Sequence, residues 1–344
     1  MKLLTVAIPT FQRSFELSIC LRHIANALGN LEIHEKDSVE VRIFDNSEDD
    51  NSKELFRSDE FAIFHSGYHK NSTNIGSDEN IAQCYLQPTS LYVMALGDDD
   101  YLEKDFFKKI LPILALEKFS LVTLNAYGLT HNHEENRPFG SDQVIEFTNA
   151  ADIVVHRNIH LGFVSGLILR RDLLSEASIK RGIGTQLVQV NAAFAALSVS
   201  PNSAYVTKYL LASTRNNTGG YNPVDIFLAR YFELLGSYNF FSMNRKQMNS
   251  LKLRLLVCFY SRSFAQFIRS RNLALSDEEL TEVDRFYKDS LLYRLIIRNL
   301  FKSTGLFSFY ILTGIYILSN IILSPIKIFY YSRHTCNILV KSIK

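Results

Sequence analysis

Short apolar runs alternate with helix-period segments in the first third of the chain, and this alternation restricts the fold more than any other feature. The runs "LLTVAIPT", "VEVRIFD", "FAIFH" and "SLYVMAL" predict four strands, while intervening segments such as "SFELSICLRHIANAL" and "SDENIAQCYL" predict helices. Strands that alternate with helices form largely parallel sheets covered by those helices. The sequence therefore predicts an α/β fold with a Rossmann-like, mostly parallel sheet flanked by helices.

Polar residues stand at or just beyond the ends of these predicted strands. "PTFQR" follows the first strand, Asp45 ends the second, "NSTNIGSDEN" leads into a helix, and "GDDD" follows the fourth. Because parallel strands bring their carboxyl ends to one edge of a sheet, we expect these residues to line one crevice. Three adjacent carboxylates are also typical of a solvated turn or a helix cap. The triplet alone therefore does not distinguish a ligand-binding crevice from a structural turn.

Four motifs occur in a fixed order within residues 6–102: "VAIPTFQR", "IFDNSEDD", "NIGSDENI" and "ALGDDDYL". In these motifs the chain resembles the inverting nucleotide-sugar glycosyltransferases of family 2, which have the GT-A fold. "GDDD" together with "TRNNTGGYN" is most similar to bacterial O-antigen and surface-polysaccharide enzymes such as abequosyltransferase-like proteins. The resemblance implies a hexosyltransferase-type enzyme that moves a sugar from a nucleoside diphosphate, with a pyrimidine favoured, to a hydroxyl of a lipid-linked saccharide.

The resemblance also implies roles for residues of the nucleotide site. The first loop would lie along the base and ribose, Asp45 would accept a hydrogen bond from a pyrimidine N–H, and a second loop would contact the nucleotide. An aromatic ring stacks on a base, and a carboxylate recognises a donor edge. The first loop comprises Pro9, Thr10, Phe11 and Arg13, and the second contributes Asn74, Gly76 and Asn80.

The acidic triplet matches the family's DxD element, whose carboxylates hold Mg²⁺ or Mn²⁺ against the diphosphate. Oxygen ligands suit these hard cations. The commoner family form is "LDxDD", and here the first acidic position is Gly97. We therefore predict Asp98 and Asp100 as the metal ligands, with Asp99 as the alternative, and expect Asp98 to contribute to nucleotide binding as well.

The family's downstream acidic "ED" pair, which deprotonates the acceptor, is missing. The corresponding stretch reads "GTQLVQ", and Thr185 and Gln186 cannot act as a base. The stereochemical outcome and the base stay open. The candidates for the base are His160, Asp172 and His133, with His131, Glu134 and His156 as further side chains that spacing does not single out. Arg215 in "STRNNTGGYNP" would bind acceptor or diphosphate, or else lie in an ordinary turn.

Charge and cysteine usage exclude some classes of partner. The net charge of +2 arises from 37 basic and 35 acidic residues, which gives no basic excess for a nucleic-acid partner. Cys20, Cys84, Cys258 and Cys336 show no C-x-x-C spacing, so we expect reduced thiols in a cytosolic setting. The N-terminus lacks the apolar region of a secretory signal and is expected to begin the fold.

The C-terminal region predicts contact with a membrane. Arg294, Arg298 and Lys302 recur every four residues, and the next 24 residues, 303–326, carry no charge. This segment is expected to span the bilayer, re-enter it, or dock into it or into a partner. An anionic membrane surface is then a partner, and the cytoplasmic face of the bacterial inner membrane is the expected location.

These observations predict four regions. Residues 1–130 form the nucleotide-sugar-binding half and residues 131–232 the acceptor-binding half of one catalytic domain. Residues 233–302 form a helical region with the basic stripe, and residues 303–331 a hydrophobic membrane-associating segment. Two alternatives remain: a nucleotidyltransferase, which would release pyrophosphate, and a non-catalytic nucleotide- or saccharide-binding subunit, which the missing "ED" pair keeps open.

Overall fold

The computed structural model describes residues 2–61, 66–129, 137–138, 140–214, 222–238 and 243–323. Nine strands are present in these ranges: β1 (Leu4–Thr10), β2 (Val39–Asp45), β3 (Ser66–Lys70), β4 (Tyr92–Ala95), β5 (Asp100–Leu102), β6 (Leu121–Leu129), β7 (Val144–Phe147), β8 (Leu167–Arg170) and β9 (Ser203–Thr214).

The helices up to residue 199 are α1 (Ser14–Gly29), α2 (Ile33–Lys36), α3 (Asn51–Phe56), α4 (Ser77–Leu86), α5 (Phe106–Leu114), α6 (Ala150–Arg157), α7 (Glu176–Lys180) and α8 (Val188–Val199). After residue 222 they are α9 (Tyr231–Ser237), α10 (Arg245–Leu255), α11 (Ser261–Arg271), α12 (Asp277–Tyr287), α13 (Arg298–Phe301) and α14 (Leu306–Leu323). Turns of π-helix occupy Asp225–Arg230, Leu256–Tyr260 and Tyr293–Ile297.

All nine strands belong to one sheet with the order β3-β2-β1-β4-β8-β6-β9-β5, and β7 pairs with β9. The strands β3, β2, β1 and β4 are mutually parallel. In the other half, β6 runs parallel to β9, while β8 is antiparallel to both of its neighbours. The predicted α/β class is confirmed, and the antiparallel strands follow the first parallel half.

The core explains why the apolar runs form central strands. Leu4, Val6 and Ile8 of β1 are fully buried, and Leu17 and Ile24 of α1 belong to the same apolar cluster. A strand covered on both faces needs a continuous apolar run, which "LTVAI" supplies. The predicted bounds of β2 are confirmed at both ends.

Two helix starts differ from the sequence prediction. The cap of α1 is Arg13, and the cap of α4 is Gly76, whose φ of +86° suits glycine, so neither Ser14 nor Ser77 is the capping residue. The predicted strand "FAIFH" falls largely on residues 62–65, which lie outside the described ranges, and the described strand β3 is Ser66–Lys70 at the edge of the sheet.

The chain divides into two compact units. The first comprises Met1–Arg137, Asp142–Ile153 and His160–Asn217 and contains the sheet. The second comprises Pro138–Ser141, Val154–Ile159 and Thr218–Lys344, and its described elements after residue 222 are helical. The four predicted regions are not tested by this division and stay predictions.

The C-terminal predictions have mixed outcomes. Arg298 lies in an ion pair with Asp284, with an Nη2–Oδ2 distance of 2.7 Å, whereas Arg294 and Lys302 are exposed. The uncharged segment forms α14 up to residue 323, and residues 324–331 lie outside the described ranges. Within those ranges, no helix is long and apolar enough to cross a membrane. Three of the four cysteines are free thiols: Cys20, Cys84 and Cys258.

Candidate active site

Three strand ends meet at one edge of the sheet, as the sequence predicts. Thr10, the last residue of β1, pairs with Asp45, the last residue of β2. On the other side of β1, Ala7 pairs with Ala95 of β4, and Leu96 N–H donates to Ala7 O at 2.9 Å. The loops after these strands therefore lie side by side.

Asp98 is bound by both the end of β1 and the loop that follows it. Thr10 Oγ1 donates to Asp98 Oδ2 at 2.8 Å, and Arg13 Nη1 lies 3.2 Å from Asp98 Oδ1. The same Nη1 atom lies 3.4 Å from Asp99 Oδ2. One guanidinium thus contacts two carboxylates, and the Asp98 side chain is only 7% exposed. The triplet is not an open, solvated turn.

Asp100 is held from the other half of the sheet. Ser165 Oγ donates a short hydrogen bond to Asp100 Oδ2 and accepts one from Gly97 N–H at 2.8 Å. Asp100 also pairs with Ser213 of β9. Ser165 and Ser213 were missed in the sequence, although Ser213 stands two residues before the candidate Arg215.

The end of β9 also reaches the triplet. Thr214 Oγ1 donates to Asp99 O at 2.8 Å. This contact places the start of "STRNNTGGYNP" beside the acidic triplet. Arg215 itself lies outside the described residues, and its predicted role stays a prediction.

Gly97 gives a physical reason for the departure from the "LDxDD" form. A Cβ atom added at Gly97 would lie 3.0 Å from Asp100 Oδ2 and 3.3 Å from Asp99 Oδ1. Even a methyl group would crowd both carboxylates, and a fourth carboxylate would add repulsion. The two side chains occupy the space that a larger residue would need.

Burial shifts the titration of two members of the triplet. Burial raises the pKa of Asp98 to about 6, against the opposing effects of the Thr10 hydrogen bond and the Arg13 charge. Burial raises the pKa of Asp100 to about 7, although the Ser165 hydrogen bond opposes this. Each of the two carboxyl groups therefore loses its proton close to neutral pH.

The residues of the triplet fit a divalent cation that also has diphosphate oxygens as ligands. Among the described residues, no group of three or more His, Cys, Asp or Glu side chains could hold a metal alone. Asp98 and Asp99 nevertheless share one cationic group, Arg13, which shows that both carboxylates can turn toward a common positive charge. Hard carboxylate oxygens suit Mg²⁺ or Mn²⁺.

Asp45 lies fully buried at the end of β2. Its Oδ1 atom accepts from Ser47 N–H at 2.7 Å, and its Oδ2 atom accepts a short hydrogen bond from the Tyr68 hydroxyl. Burial and the Asp45 hydrogen bond raise the pKa of Tyr68, so its hydroxyl stays protonated and remains a donor. Tyr68 was missed in the sequence because its strand lies at the edge of the sheet.

A network of buried amides fixes the second predicted nucleotide loop. Asn71 Nδ2 donates to Asn46 Oδ1 at 2.7 Å and to Asn80 Oδ1 at 3.2 Å. Asn80 Nδ2 donates to Phe44 O at 3.0 Å, and Asn46 Nδ2 donates to Gly76 O at 3.1 Å. The Asn80 side chain is 3% exposed and thus holds the loop in place from the protein interior.

The more exposed members of the two predicted loops are available for contact with a ligand. Phe11 is 41% exposed, and Pro9 is half-buried beside it. Asn74 is exposed and accepts from Gly76 N–H at 2.9 Å, which closes the turn before α4. Pro9 and Phe11 lie at the end of β1, and Asn74 lies between β3 and α4, where β3 runs parallel to β2.

The structure separates the candidate bases. The antiparallel pairing places Arg170 opposite Tyr92, at the end of β4 that is far from Asp98, and Asp172 forms an ion pair with Arg170 at 2.9 Å. His160 is exposed and precedes Ser165 by five residues. His156 is exposed on α6, whereas His131, His133 and Glu134 lie outside the described residues.

The loop in the position of the "ED" pair is held by Asp78. Asp78 Oδ2 accepts from Gly184 N–H at 2.8 Å and from Gln186 N–H at 2.9 Å. Gln186 has a φ of +59°, which is unfavourable for a residue with a side chain. Thr185 Oγ1 donates to Gly182 O at 2.5 Å, so its hydroxyl is engaged in the turn.

Comparison with known proteins gives a likeness of fold. No protein-family model and no curated protein matches the sequence. S. aureus TarS 1-349 in complex with UDP-GlcNAc matches with a TM-score of 0.60 at 14% identity, over 92% of this chain and 90% of that chain. The complex of TarS 1-349 with UDP gives 0.59 at 14% identity, over 93% and 92%.

A more distant structure is the mannosyltransferase PcManGT from Pyrobaculum calidifontis in complex with GDP-Man and Mn²⁺. It matches with a TM-score of 0.46 at 10% identity, over 92% of this chain and 86% of that chain. The TarS comparisons show that this chain has the same fold as a protein crystallised with a nucleotide sugar.

Proposed function

We propose that the chain is a metal-dependent glycosyltransferase that takes a sugar from a nucleoside diphosphate donor, with a pyrimidine base favoured. The observation that carries this proposal is the convergence of Asp45, Arg13 and the acidic triplet at one sheet edge. Binding of such a donor needs a carboxylate that recognises the nucleotide base and carboxylates that bind a cation at the diphosphate. The fold shared with TarS, which was crystallised with UDP and UDP-GlcNAc, supports the same conclusion.

Different described residues would bind different parts of the donor. Asp45 is held by Ser47 and Tyr68, so its carboxylate is pre-oriented to accept an N–H from the base. Asp98 and Asp100 would hold Mg²⁺ or Mn²⁺, with Asp99 as the alternative ligand, and Ser165 fixes the Asp100 side chain. A cation bound there would neutralise charge on the departing nucleoside diphosphate. Arg13 would then be free to contact the diphosphate.

The acceptor half of the proposal is a hydroxyl of a lipid-linked saccharide, in O-antigen or capsular polysaccharide synthesis at the cytoplasmic face of the bacterial inner membrane. The uncharged segment that begins at Ser303 supports a membrane-bound acceptor. Of the candidate bases in the described ranges, His160 is the one we propose to test first, because it is exposed and close in sequence to Ser165.

The experiment that tests the proposal is a thermal-shift comparison of UDP, CDP, GDP and TDP, each with and without Mn²⁺. We expect one pyrimidine nucleotide to raise the melting temperature, and Mn²⁺ to increase that rise, because a ligand that binds only the folded state stabilises it. At a nucleotide concentration of 100 Kd the stabilisation is about 2.7 kcal/mol. No response to any nucleotide would contradict the proposal.

A variant and a product assay separate the alternatives. Asp98→Asn should lose the Mn²⁺-dependent part of the shift, whereas Asp172→Asn, at the far end of β4, should keep it. Release of nucleoside diphosphate from a nucleotide sugar indicates a glycosyltransferase, and release of pyrophosphate indicates a nucleotidyltransferase. Binding without transfer or donor hydrolysis would indicate the non-catalytic subunit.

A further inference from the structure

Helix α14 carries an uninterrupted apolar face to the outside. Phe307, Tyr310, Gly314 and Leu318 are exposed, with values of 76% for Phe307 and 59% for Leu318. Their spacing of three or four residues places them on one side of the helix. We call these four residues the apolar stripe. An 18-residue α-helix is about 27 Å long, so the stripe runs along much of an extended surface.

The opposite side of α14 is packed against the protein. Leu312 and Ser308 are buried. The guanidinium of Arg269 lies 4.7 Å from the centre of the Phe309 ring, and that of Arg262 lies 4.9 Å from the Tyr316 ring. Because α11 contributes both arginines, it fixes which side of α14 faces outward. The exposure of the stripe is therefore a property of the packed helix.

The chain segments that pack against the stripe-bearing helix or directly precede it carry basic residues and no acidic ones. Neither α11 nor α14 contains an acidic residue, and the sequence contains no Asp or Glu after Asp289. Arg294 and Lys302 are exposed shortly before α14. Between them stand two further exposed apolar side chains, Leu295 at 70% and Ile296 at 47%. Exposed apolar groups interspersed with basic ones match the surface of an anionic bilayer.

We propose that the apolar stripe docks α14 into the surface of an anionic lipid bilayer, with the helix axis in the membrane plane. The packed side of α14 would remain on the protein, and the basic residues would meet lipid phosphates. Burial of a Phe and a Leu side chain supplies the apolar part of the affinity. This inference rests on the proposed membrane location and does not depend on the chemistry of sugar transfer.

Vesicle co-sedimentation of the full chain tests the docking. We expect binding to phosphatidylcholine vesicles that contain phosphatidylglycerol and weaker binding to pure phosphatidylcholine. Phe307→Ser with Leu318→Ser should reduce the bound-to-free ratio at least about tenfold. Arg294→Gln with Lys302→Gln should reduce it about fivefold per residue on anionic vesicles only. Ile33→Ser with Val199→Ser, two apolar residues exposed elsewhere, should leave it unchanged.

The orientation can be measured because the chain contains no tryptophan. Phe307→Trp and Leu318→Trp each introduce a single fluorophore on the stripe, and lipids brominated at different acyl positions report its depth. Eleven residues separate the two positions by about 16 Å along the helix axis. An in-plane helix gives equal depths for both, whereas a helix that crosses the bilayer gives depths that differ by most of that distance.

The outcomes of these membrane-binding experiments can be distinguished from those of the donor-binding experiment. Nucleotide-dependent thermal shifts of the stripe variants should equal those of the unmodified chain, so failure of one proposal leaves the other testable. Vesicle binding that the stripe substitutions do not change would overturn the docking proposal. A dimer in sedimentation equilibrium that the same substitutions dissociate, without vesicle binding, would instead identify the stripe as an interface between two copies.

Discussion

Replacing Asp100 by Asn should stabilise the metal-free protein at neutral and alkaline pH. Asn has the shape of the protonated carboxyl group and does not titrate. Burial raises the pKa of Asp100 to about 7 in the folded chain, whereas the unfolded value is about 3.9. A raised folded pKa means that the contribution of Asp100 to stability is fully present below about pH 4 and is lost as the pH rises through 7.

The size of the effect follows from this difference. Each pKa unit corresponds to about 1.4 kcal/mol. At pH 5 the carboxyl group is protonated in the folded chain and mostly ionised in the unfolded one, which makes the unmodified protein roughly 1 to 2 kcal/mol less stable than the variant. At pH 8 both states are ionised, and the difference reaches roughly 3 to 4 kcal/mol.

Urea unfolding between pH 5 and pH 8, followed by circular dichroism without divalent cations, measures the difference. Asp172→Asn is the matched control, because that carboxylate is exposed and ion-paired at the opposite end of β4. Its effect should be within about 1 kcal/mol and should not grow with pH in the same way. The same Asp100→Asn protein should bind Mn²⁺ and nucleotide more weakly, since it lacks one of the carboxylates that would hold the cation.

The reasoning is refuted if Asp100→Asn is less stable than the unmodified protein at pH 8. The hydrogen bonds from Ser165 and Ser213 would then outweigh the burial of the charge, and the triplet would be a structural cluster. A stability difference that stays constant from pH 5 to pH 8 would also contradict the stated titration.

Two further substitutions test the supports of the site. Tyr68→Phe should cost about 1 to 3 kcal/mol in urea unfolding, because the buried Asp45 loses one hydrogen-bond donor, and should weaken binding of the preferred nucleotide in calorimetry; unchanged affinity would exclude Tyr68 from orienting Asp45. Asp78→Ala should cost about 1 kcal/mol and speed hydrogen exchange at the Gly184 and Gln186 amides, and equal exchange rates would show that the loop holds its shape without the carboxylate.

The strands β1 and β2 could be predicted from their apolar patterns. The bounds of β1, to within one residue, follow from an apolar run that only a covered strand can bury, and those of β2 follow from the alternation of Val39, Val41 and Ile43 with polar residues. The meeting of Thr10, Asp45 and Asp98 follows in turn, since strands that run parallel end at one edge.

The supports of the site could not be predicted, because they depend on the antiparallel half of the sheet. Ser165 precedes β8 and Ser213 lies in β9, strands that are far from the triplet in sequence and reach it through a strand order that apolar periodicity does not encode. The same antiparallel direction of β8 places Arg170, the partner of Asp172, opposite Tyr92 at the other end of β4 from the triplet. Side chains that reach the site from strands distant in sequence have no pattern in their own segment that indicates their role.

The charges at the sheet edge explain why a cation belongs there. Among the described residues, Arg13 is the cationic side chain paired with the triplet, and its ion pairs are with Asp98 and Asp99. Asp100 is accordingly the member whose pKa rises further, to about 7, against about 6 for Asp98. A divalent cation would balance the negative charge that Arg13 leaves unmatched, and its binding would release the protons that the two carboxyl groups hold near neutral pH. Within the described residues the triplet is therefore incompletely neutralised, as a site that receives its counter-charge with the ligand should be.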